Sequence, residues 1–405
     1  MPNISGNDPC SRTAIIAGGS LAGLMAGAIL ARQGWRVRIF ERVPGGIESR
    51  GTGIATHPLL FEAFRRAGAL VDDSMGMPLI GRSAFARSGE ELCHYAFPQM
   101  LSPWSILYRR LRDAVPSECY ELGTDVVHVA DSDDGVVFQF QDGREVRGAL
   151  AIGADGIWSR IRSELNPAAV PAYSGYVAWR GLIDERELGT AFAERYAPLH
   201  SFFVDRNEQF ILYAINGADD SLAVGRRRFG FLWYRAVDEA SELPDLLTDV
   251  EGVQHEKSIP PPKIRQQHIQ RLRELAAVLL PPQFAEVVQR TPQPFLQPIF
   301  DLKSDRVAFK RTVLMGDAAF VARPHVGAGV MKAAGDALAL ADALGNSGGV
   351  ICEALHAYQQ VRLTDGAALV DRARYLGGYL EGSKRRGAPA PVLPVDEVIR
   401  ESGRG

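Results

Sequence analysis

The sequence predicts an α/β protein, and three observations carry that prediction. A strand, a glycine-rich turn, a helix and a second strand follow one another within residues 14–40. Alternating, aromatic-rich segments fill residues 172–235, the pattern of a mostly antiparallel sheet. Helical stretches close the chain over 329–344 and 355–380. The expected architecture is a Rossmann-like dinucleotide-binding βαβ domain, a second, mostly antiparallel β-sheet domain for a substrate, and C-terminal helices.

Each element follows from local chemistry. Ala14–Ala17 is a short apolar strand, Leu21–Gln33 a helix, and Arg36–Phe40 a second strand. A helical run from Leu59 to Ala67 ends at Gly68. Between Val126 and Asp155, the turn residues of Asp131–Gly135 and Asp142-Gly143 punctuate a β-meander whose last strand, Ala149–Gly153, is wholly apolar. Residues 243–290 read as helices broken by Pro260–Pro262 and Pro281-Pro282, and Arg311–Gly316 returns to a buried strand. The 405 residues suit about two or three domains. The expected division is discontinuous. Residues 12–80, 104–170 and 300–345 form the dinucleotide domain, and 81–103 and 171–299 the substrate domain. Residues 346–385 form a helical segment, with 1–11 and 386–405 as flexible tails.

Composition excludes some classes. With 46% hydrophobic residues and a net charge of −3, the chain has no field to gather nucleic acid or an anionic membrane. Cys10, Cys93, Cys119 and Cys352 lie far apart without a CxxC pair, which points to reduced thiols in a cytoplasmic protein and to no metal site. Residues 13–31 carry no charge, a length that could span a membrane. Their glycines, however, sit where a nucleotide turn needs them, and a charged, alternating strand follows.

Three motifs bear chemistry. The first, Gly18-Gly19-Ser20-Leu21-Ala22-Gly23, leaves a strand and opens a helix. In the G-x-G-x-x-G pattern the first glycine makes the turn, the middle one admits a pyrophosphate, and the last lets helix and strand pack. Here Ser20 replaces the middle glycine. Glu41 ends the second strand, placed to accept from ribose hydroxyls. The second motif is Gly153-Ala154-Asp155-Gly156, followed by Ser159 and Arg162 at helical spacing; a plain turn with Ser159 as helix cap is the alternative. The third is Gly316-Asp317-Ala318-Ala319, running through Arg323-Pro324-His325 and Gly327-Ala328-Gly329 into a helix that contains Asp336. Small residues at a helix start can bring N–H groups against a ring system that becomes anionic on reduction.

At these residues, over roughly 12–345, the chain resembles the single-component aromatic-ring flavin monooxygenases, the class of para-hydroxybenzoate hydroxylase. A narrower likeness, to the pyridine-hydroxylating subgroup, rests on Gly18-Gly19-Ser20, Gly51-Thr52-Gly53-Ile54, the run Tyr173–Gly181 and Arg323-Pro324-His325. The resemblance implies FAD bound by Gly18, Ser20, Leu21, Ala22 and Gly23 at the pyrophosphate, Glu41 at the ribose, and Asp317 at a ribityl or ribose hydroxyl, with Gly327, Ala328 and Gly329 against the ring system. Arg42, Gly53, Ile54, Tyr108, Asp155, Gly316 and Pro324 complete the implied cofactor-binding set. The sequence departs from the wider family at Phe320, Ala328 and Met331, and at Tyr108, where an arginine is usual.

The chemistry implied is oxygen transfer from a flavin C4a-hydroperoxide to an electron-rich ring, expected to be a hydroxypyridine. NAD(P)H would act as transient electron donor without a domain of its own. The partners implied are an aromatic small molecule and O2, and a homodimer is compatible. His325 and Tyr213 are the candidates to deprotonate or hold the ring, against structural readings of a carbonyl-capping histidine and a sheet tyrosine. Tyr95, Tyr108, Trp179, Trp233 and His57 are lesser wall candidates; Arg180 and Arg226–Arg228 are candidates for a NAD(P)H phosphate. A plain NAD-dependent dehydrogenase explains only the first motif. A flavin oxidase, a hydroxylase of another phenol or heterocycle, and a non-hydroxylating flavoprotein stay open.

Overall fold

The structure, a computed structural model, describes residues 12–47, 53–381 and 394–403. The tail expected at 1–11 and the pair Gly51-Thr52 lie outside the described residues. The chain begins with β1 (Thr13–Ala17), fully buried, α1 (Leu21–Arg32) and β2 (Arg36–Glu41). Then come β3 (Gly53–Ala55) and α2 (Pro58–Ala67), whose Pro58 sits at the helix start and whose Gly68 closes it with a left-handed φ of 77°. Two long strands follow, β4 (Met77–Phe85) and β5 (Glu91–Pro103), with α3 (Trp104–Asp113) and β6 (Tyr120–Leu122) after them.

The meander is β7 (Val126–Asp131), β8 (Val136–Phe140) and β9 (Glu145–Gly148), from which the chain passes into β10 (Leu150–Gly153) and α4 (Arg160–Leu165). The aromatic-rich block is β11 (Ala172–Asp184), two short helices α5 (Glu185–Leu188) and α6 (Thr190–Tyr196), then β12 (Leu199–Asp205), β13 (Glu208–Ile215) and β14 (Arg228–Ala236). Helices α7 (Leu243–Leu246), α8 (Gln266–Leu279) and α9 (Pro282–Arg290) precede β15 (Phe295–Lys303), a strand that no sequence signal announced. The last elements are β16 (Thr312–Leu314), β17 (Phe320–Val321), α10 (Gly329–Asn346), α11 (Ile351–Gly377) and α12 (Val395–Glu401).

Among the described residues the strands form three sheets. The first has the order β16-β10-β1-β2-β6, with every neighbouring pair parallel. Helices α1 and α10 pack together beside it, and the meander covers it through Phe138 and Phe140 against Phe40. The second sheet runs β17-β15-β11-β14-β13-β12-β4-β5-β3 and is antiparallel except where β12 meets β4. Tertiary pairing thus draws β3, and β15 with β17, into this sheet. β3 and β17 come from stretches expected in the dinucleotide domain, and the expected boundaries at residues 81 and 300 fall inside β4 and β15.

One face of the second sheet is an aromatic layer. Phe210 stacks on Phe231 at 5.4 Å and on Phe284 of α9 at 5.0 Å. Burying each such ring contributes about 1.5–3 kcal/mol. The C-terminal stretch differs from expectation: residues 395–401 form a helix rather than a flexible tail. Val398 and Ile399 are buried in the second core, which gives that amphipathic turn a partner. No helix among the described residues is long and apolar enough to cross a membrane.

Candidate functional site

The parallel sheet places the three motifs together. Ala17 of β1 pairs with Gly153 of β10, and Gly153 with Leu314 of β16. Gly18, Asp155 and Gly316 therefore leave the carboxyl ends of three adjacent strands at one level, the edge where open α/β sheets bind ligands. Gly18 has φ +102°, and a Cβ there would run into the Ala154 carbonyl. A Cβ on Gly23 would overlap the Gly18 carbonyl, so both glycines are required by the close approach of strand and helix. Ser20 stands at the start of α1 with no side-chain cap bond, which leaves its hydroxyl and the first N–H groups of the helix, from Leu21 and Ala22 on, for a ligand.

The carboxylates around this edge differ in their occupation. Glu41 is buried and braces the turn, accepting from the Gly19 and Val43 amides at 3.0 Å each; Arg42 beside it is exposed. Asp155 accepts from the Arg160 amide at 2.8 Å and the Ile161 amide at 3.3 Å, and Ser159 accepts from Arg162 N at 2.9 Å. Ser159 therefore caps α4, as the alternative reading had it, Asp155 adds to that cap, and burial raises the Asp155 pKa. Its Oδ1 is left without a partner. Arg162 stitches the second motif to the third by donating to the Ala318 carbonyl at 3.0 Å. In the third motif, Gly316 N donates to Asp336 at 2.8 Å, and Asp336 also holds Arg362 at 2.6 Å. Asp317 is the open carboxylate of the set. Its side chain is 53% exposed and meets the otherwise buried Lys332 at 3.0 Å.

Tyr108 lies behind the glycine turn. Tyr120 donates to the Gly19 carbonyl at 3.0 Å, so its oxygen accepts from Tyr108, also at 3.0 Å. The Pro324–Val326 turn, Gly327 (φ +61°) and Ala328 lead into α10 at Gly329, and His57 reaches the Gly327 carbonyl at 3.2 Å.

The second sheet supplies the other wall. Opposed residues in a sheet share a face. The pairs Arg180–Leu232, Leu232–Ile211 and Tyr213–Gly230 put Arg180, Gln209, Ile211 and Tyr213 on one face, with Tyr176 at its end. Gln209 and Tyr176 both bond His325, which marks this as the face turned towards the 324–329 loop. His325 is fully enclosed. Nδ1 donates to Gln209 Oε1 at 2.9 Å, and Nε2 accepts from Tyr176 OH at 2.8 Å. Burial, then the charge of Arg323, push its pKa down to about 3. With both nitrogens engaged and the ring neutral, it fixes sheet to loop; nothing is left of it to act as a free base.

Tyr213 touches β3. Its ring is clamped between Gly53 of β3, where a Cβ would strike Cε2, and Gly230, where a Cβ would lie 2.7 Å from the same atom. Two residues expected at different tasks, Gly53 at the cofactor and Tyr213 at the substrate, are thereby in contact, with Ile54 beside them in β3. Four buried polar atoms without partners lie on this face, Arg180 Nε, His200 Nδ1, Gln209 Nε2 and Tyr213 Oη, while Ser201 Oγ, Glu208 Oε2 and Trp233 Nε1 lie on the other. Unmet buried polar atoms are rare in folded proteins and fit a ligand-lined wall.

The remaining candidates lie elsewhere. Trp179 pairs with Trp233 on the opposite face, where Trp179 lines a groove with Arg235, His268 and Leu272. Tyr95 lies under Arg400. Arg226 pairs with Asp219, Arg227 with buried Glu185, and Arg228 with the carbonyls of Asn216 and Gly217, so structural partners already engage them. Sequence reasoning missed His200 and Gln209; a single polar residue on an apolar strand gives no signal until its neighbours are known. Among the described residues no group of His, Cys, Asp or Glu side chains could hold a metal ion.

The strand-end edge, the uncapped helix start and the partnerless wall fit a flavin dinucleotide with an aromatic ligand beside it. Comparison with known proteins agrees. A family model described as FAD binding domain matches residues 11–210, and one described as FAD binding domain-like matches 173–301. The chain is 28% identical over 402 residues to 2,6-dihydroxypyridine 3-monooxygenase of Paenarthrobacter nicotinovorans, covering 97% of this chain and 98% of that one. It is 30% identical over 370 residues to aurachin C monooxygenase/isomerase of Stigmatella aurantiaca, covering 87% and 85%. The solved structure of 2,6-dihydroxypyridine-3-hydroxylase from Arthrobacter nicotinovorans superposes with a TM-score of 0.86 at 26% identity, covering 96% of each chain.

Proposed function

The chain belongs to the FAD-dependent, single-component aromatic monooxygenases, and from that premise we propose that it hydroxylates a hydroxypyridine, with NAD(P)H as transient electron donor and O2 as oxygen source. Residues 12–80, 104–170 and 300–345 hold FAD, and 81–103 with 171–299 hold the substrate. In this reading Ser20 and the first amides of α1 bind the pyrophosphate, Glu41 the ribose, and Asp317 the ribityl chain. The 327–329 amides meet the pyrimidine edge. Bound FAD supplies the activation of O2 to an electrophilic oxygen.

The protein supplies placement. Tyr213, locked between two glycines, hydrogen-bonds the substrate hydroxyl and favours its ionised, more nucleophilic form. His325, through Gln209 and Tyr176, holds the wall at a fixed distance from the loop. The apolar neighbours Ile211 and Leu232 keep water from the reacting ring. The observation that carries the reading is the partnerless polar row on the face joined to β3, which suits a small ring bearing several polar atoms.

The test is a screen of hydroxypyridines and phenols for stimulated NAD(P)H consumption, with a mass-spectrometric search for a product heavier by one oxygen atom. Hydroxypyridines should stimulate turnover and give that product. If every ring yields only hydrogen peroxide, the hydroxylase reading falls.

A further inference from the structure

Two of the partnerless atoms stand on one cross-strand row. Ser201 pairs with Leu212 in antiparallel register, and the next residues out are His200 on β12 and Tyr213 on β13. Their rings meet edge to face, with centroids 6.0 Å apart and planes at 90°. His200 Nδ1 and Tyr213 Oη are both buried and both lack a hydrogen-bond partner. Leaving one such atom unmet costs about 1–3 kcal/mol, and a ligand that meets both removes that cost. The Tyr213 ring is held in place, because Gly53 and Gly230 leave room for it only where it is.

The charge state narrows what can bind. Burial, then the charge of Arg82, push the His200 pKa down to about 3, so the imidazole is neutral at working pH. A neutral imidazole nitrogen donates or accepts according to its tautomer and a phenol hydroxyl does either, so together they can present one donor and one acceptor. That pair matches an edge on which a ring nitrogen adjoins a ring hydroxyl, or the N–H and C=O of its lactam form.

We propose that His200 is a specificity-determining residue that, with Tyr213, reads the nitrogen-and-hydroxyl edge of the substrate ring and so separates a hydroxypyridine from a phenol of the same shape. The inference rests on the hydroxylase reading above and names the group that sets its choice of ring. A site with a built hydrogen-bond pair rejects an analogue lacking the partner far more strongly than an apolar site rejects a change of shape.

The experiment measures dissociation constants of 2,6-dihydroxypyridine and of resorcinol, its counterpart with carbon for nitrogen. Both are titrated into the FAD-loaded enzyme without reductant and followed by the flavin absorbance. The wild type should prefer the pyridine by about 10–100-fold, the range set by about 1–3 kcal/mol for one buried group left unmet. His200→Leu should bring the two constants within about threefold, with most of the loss on the pyridine. Should that variant not fold, His200→Asn and His200→Gln decide the matter. Asn places an amide near the Nδ1 position and should keep the preference, whereas Gln places it near Nε2 and should lose it. An undiminished preference in His200→Leu, equal preferences in the Asn and Gln variants, or no preference in the wild type overturns the assignment of His200 alone. Failure of both rings to perturb the flavin of the wild type overturns the hydroxylase reading with it.

Discussion

His325 illustrates how burial converts a reactive side chain into a strut. Its ring accepts from Tyr176 and donates to Gln209, and its pKa of about 3, like that of His200, lies far below the ordinary 6.5. A histidine held neutral in the fold but free to protonate when unfolded stabilises fully above the unfolded value. That contribution falls as the pH drops from 6.5 towards 3, because there the unfolded chain binds the extra proton. Between pH 7.5 and 5.0 the two rings should together remove on the order of 4 kcal/mol from the unfolding free energy, measured by urea titration. His325→Asn should show a loss about 2 kcal/mol smaller over the same interval; equal losses would mean that His325 titrates alike in both states. At the opposite wall, Asp317 has one protein partner described, Lys332, and otherwise faces solvent, so its carboxylate is free for a cofactor hydroxyl. Asp317→Ala should weaken FAD binding about tenfold or more and purify largely colourless. Unchanged FAD content, read from the ratio of absorbance at 450 and 280 nm, on the order of the wild-type value, would remove Asp317 from the site.

At the scale of elements, the proposed placement of Tyr213 rests on one contact between strands from distant parts of the chain, β3 and β13. Gly53→Ala would drive a methyl group into the Tyr213 ring, and Gly230→Ala would do so from the other side. Each should cost about 1–3 kcal/mol of stability by overpacking. Displacement of Tyr213 should lower the amount of hydroxylated product per NAD(P)H consumed, while FAD content stays near normal. Full coupling in both variants would show that the ring's position is immaterial. The glycine turn, the buried strands and the cap at Ser159 were legible because each is local: a spacing, an apolar run, a hydroxyl three residues before the amide it caps. Parity was legible too, since Trp179 and Arg180 must point to opposite faces. Which face meets the cofactor was not, because it depends on β12 pairing with β4 and β13 with β14, contacts set by packing of the whole sheet. His200 was illegible for the same reason.

At the scale of the whole molecule, α12 and the residues up to Gly403 pack beside the candidate site. Helix α12 buries Val398 and Ile399 in the second core, and Arg82 donates to the Ile399 carbonyl at 2.9 Å. Gln99 bridges the Thr56 carbonyl at 3.2 Å and the Gly403 carbonyl at 3.1 Å, and Gly403 N donates to the His325 carbonyl at 3.1 Å. Those bonds tie the terminal segment to both strips that border the site, the chain just after β3 and the 324–329 loop. A chain ending at Glu381 would expose the apolar patch under α12 and strip Arg82 and His325 of these bonds. It should lose about 4–6 kcal/mol, from two buried aliphatic side chains and the hydrogen bonds removed with them. If it stays folded, water gains entry beside the loop. NAD(P)H consumption should then continue while product yield falls and peroxide rises, both measured in the same reaction. FAD should stay bound in this shortened chain, because the strand ends and α1, where the proposed function puts its phosphates, lie in the other core. Loss of FAD together with coupling would show that the terminal segment supports the cofactor itself rather than sealing the space beside it.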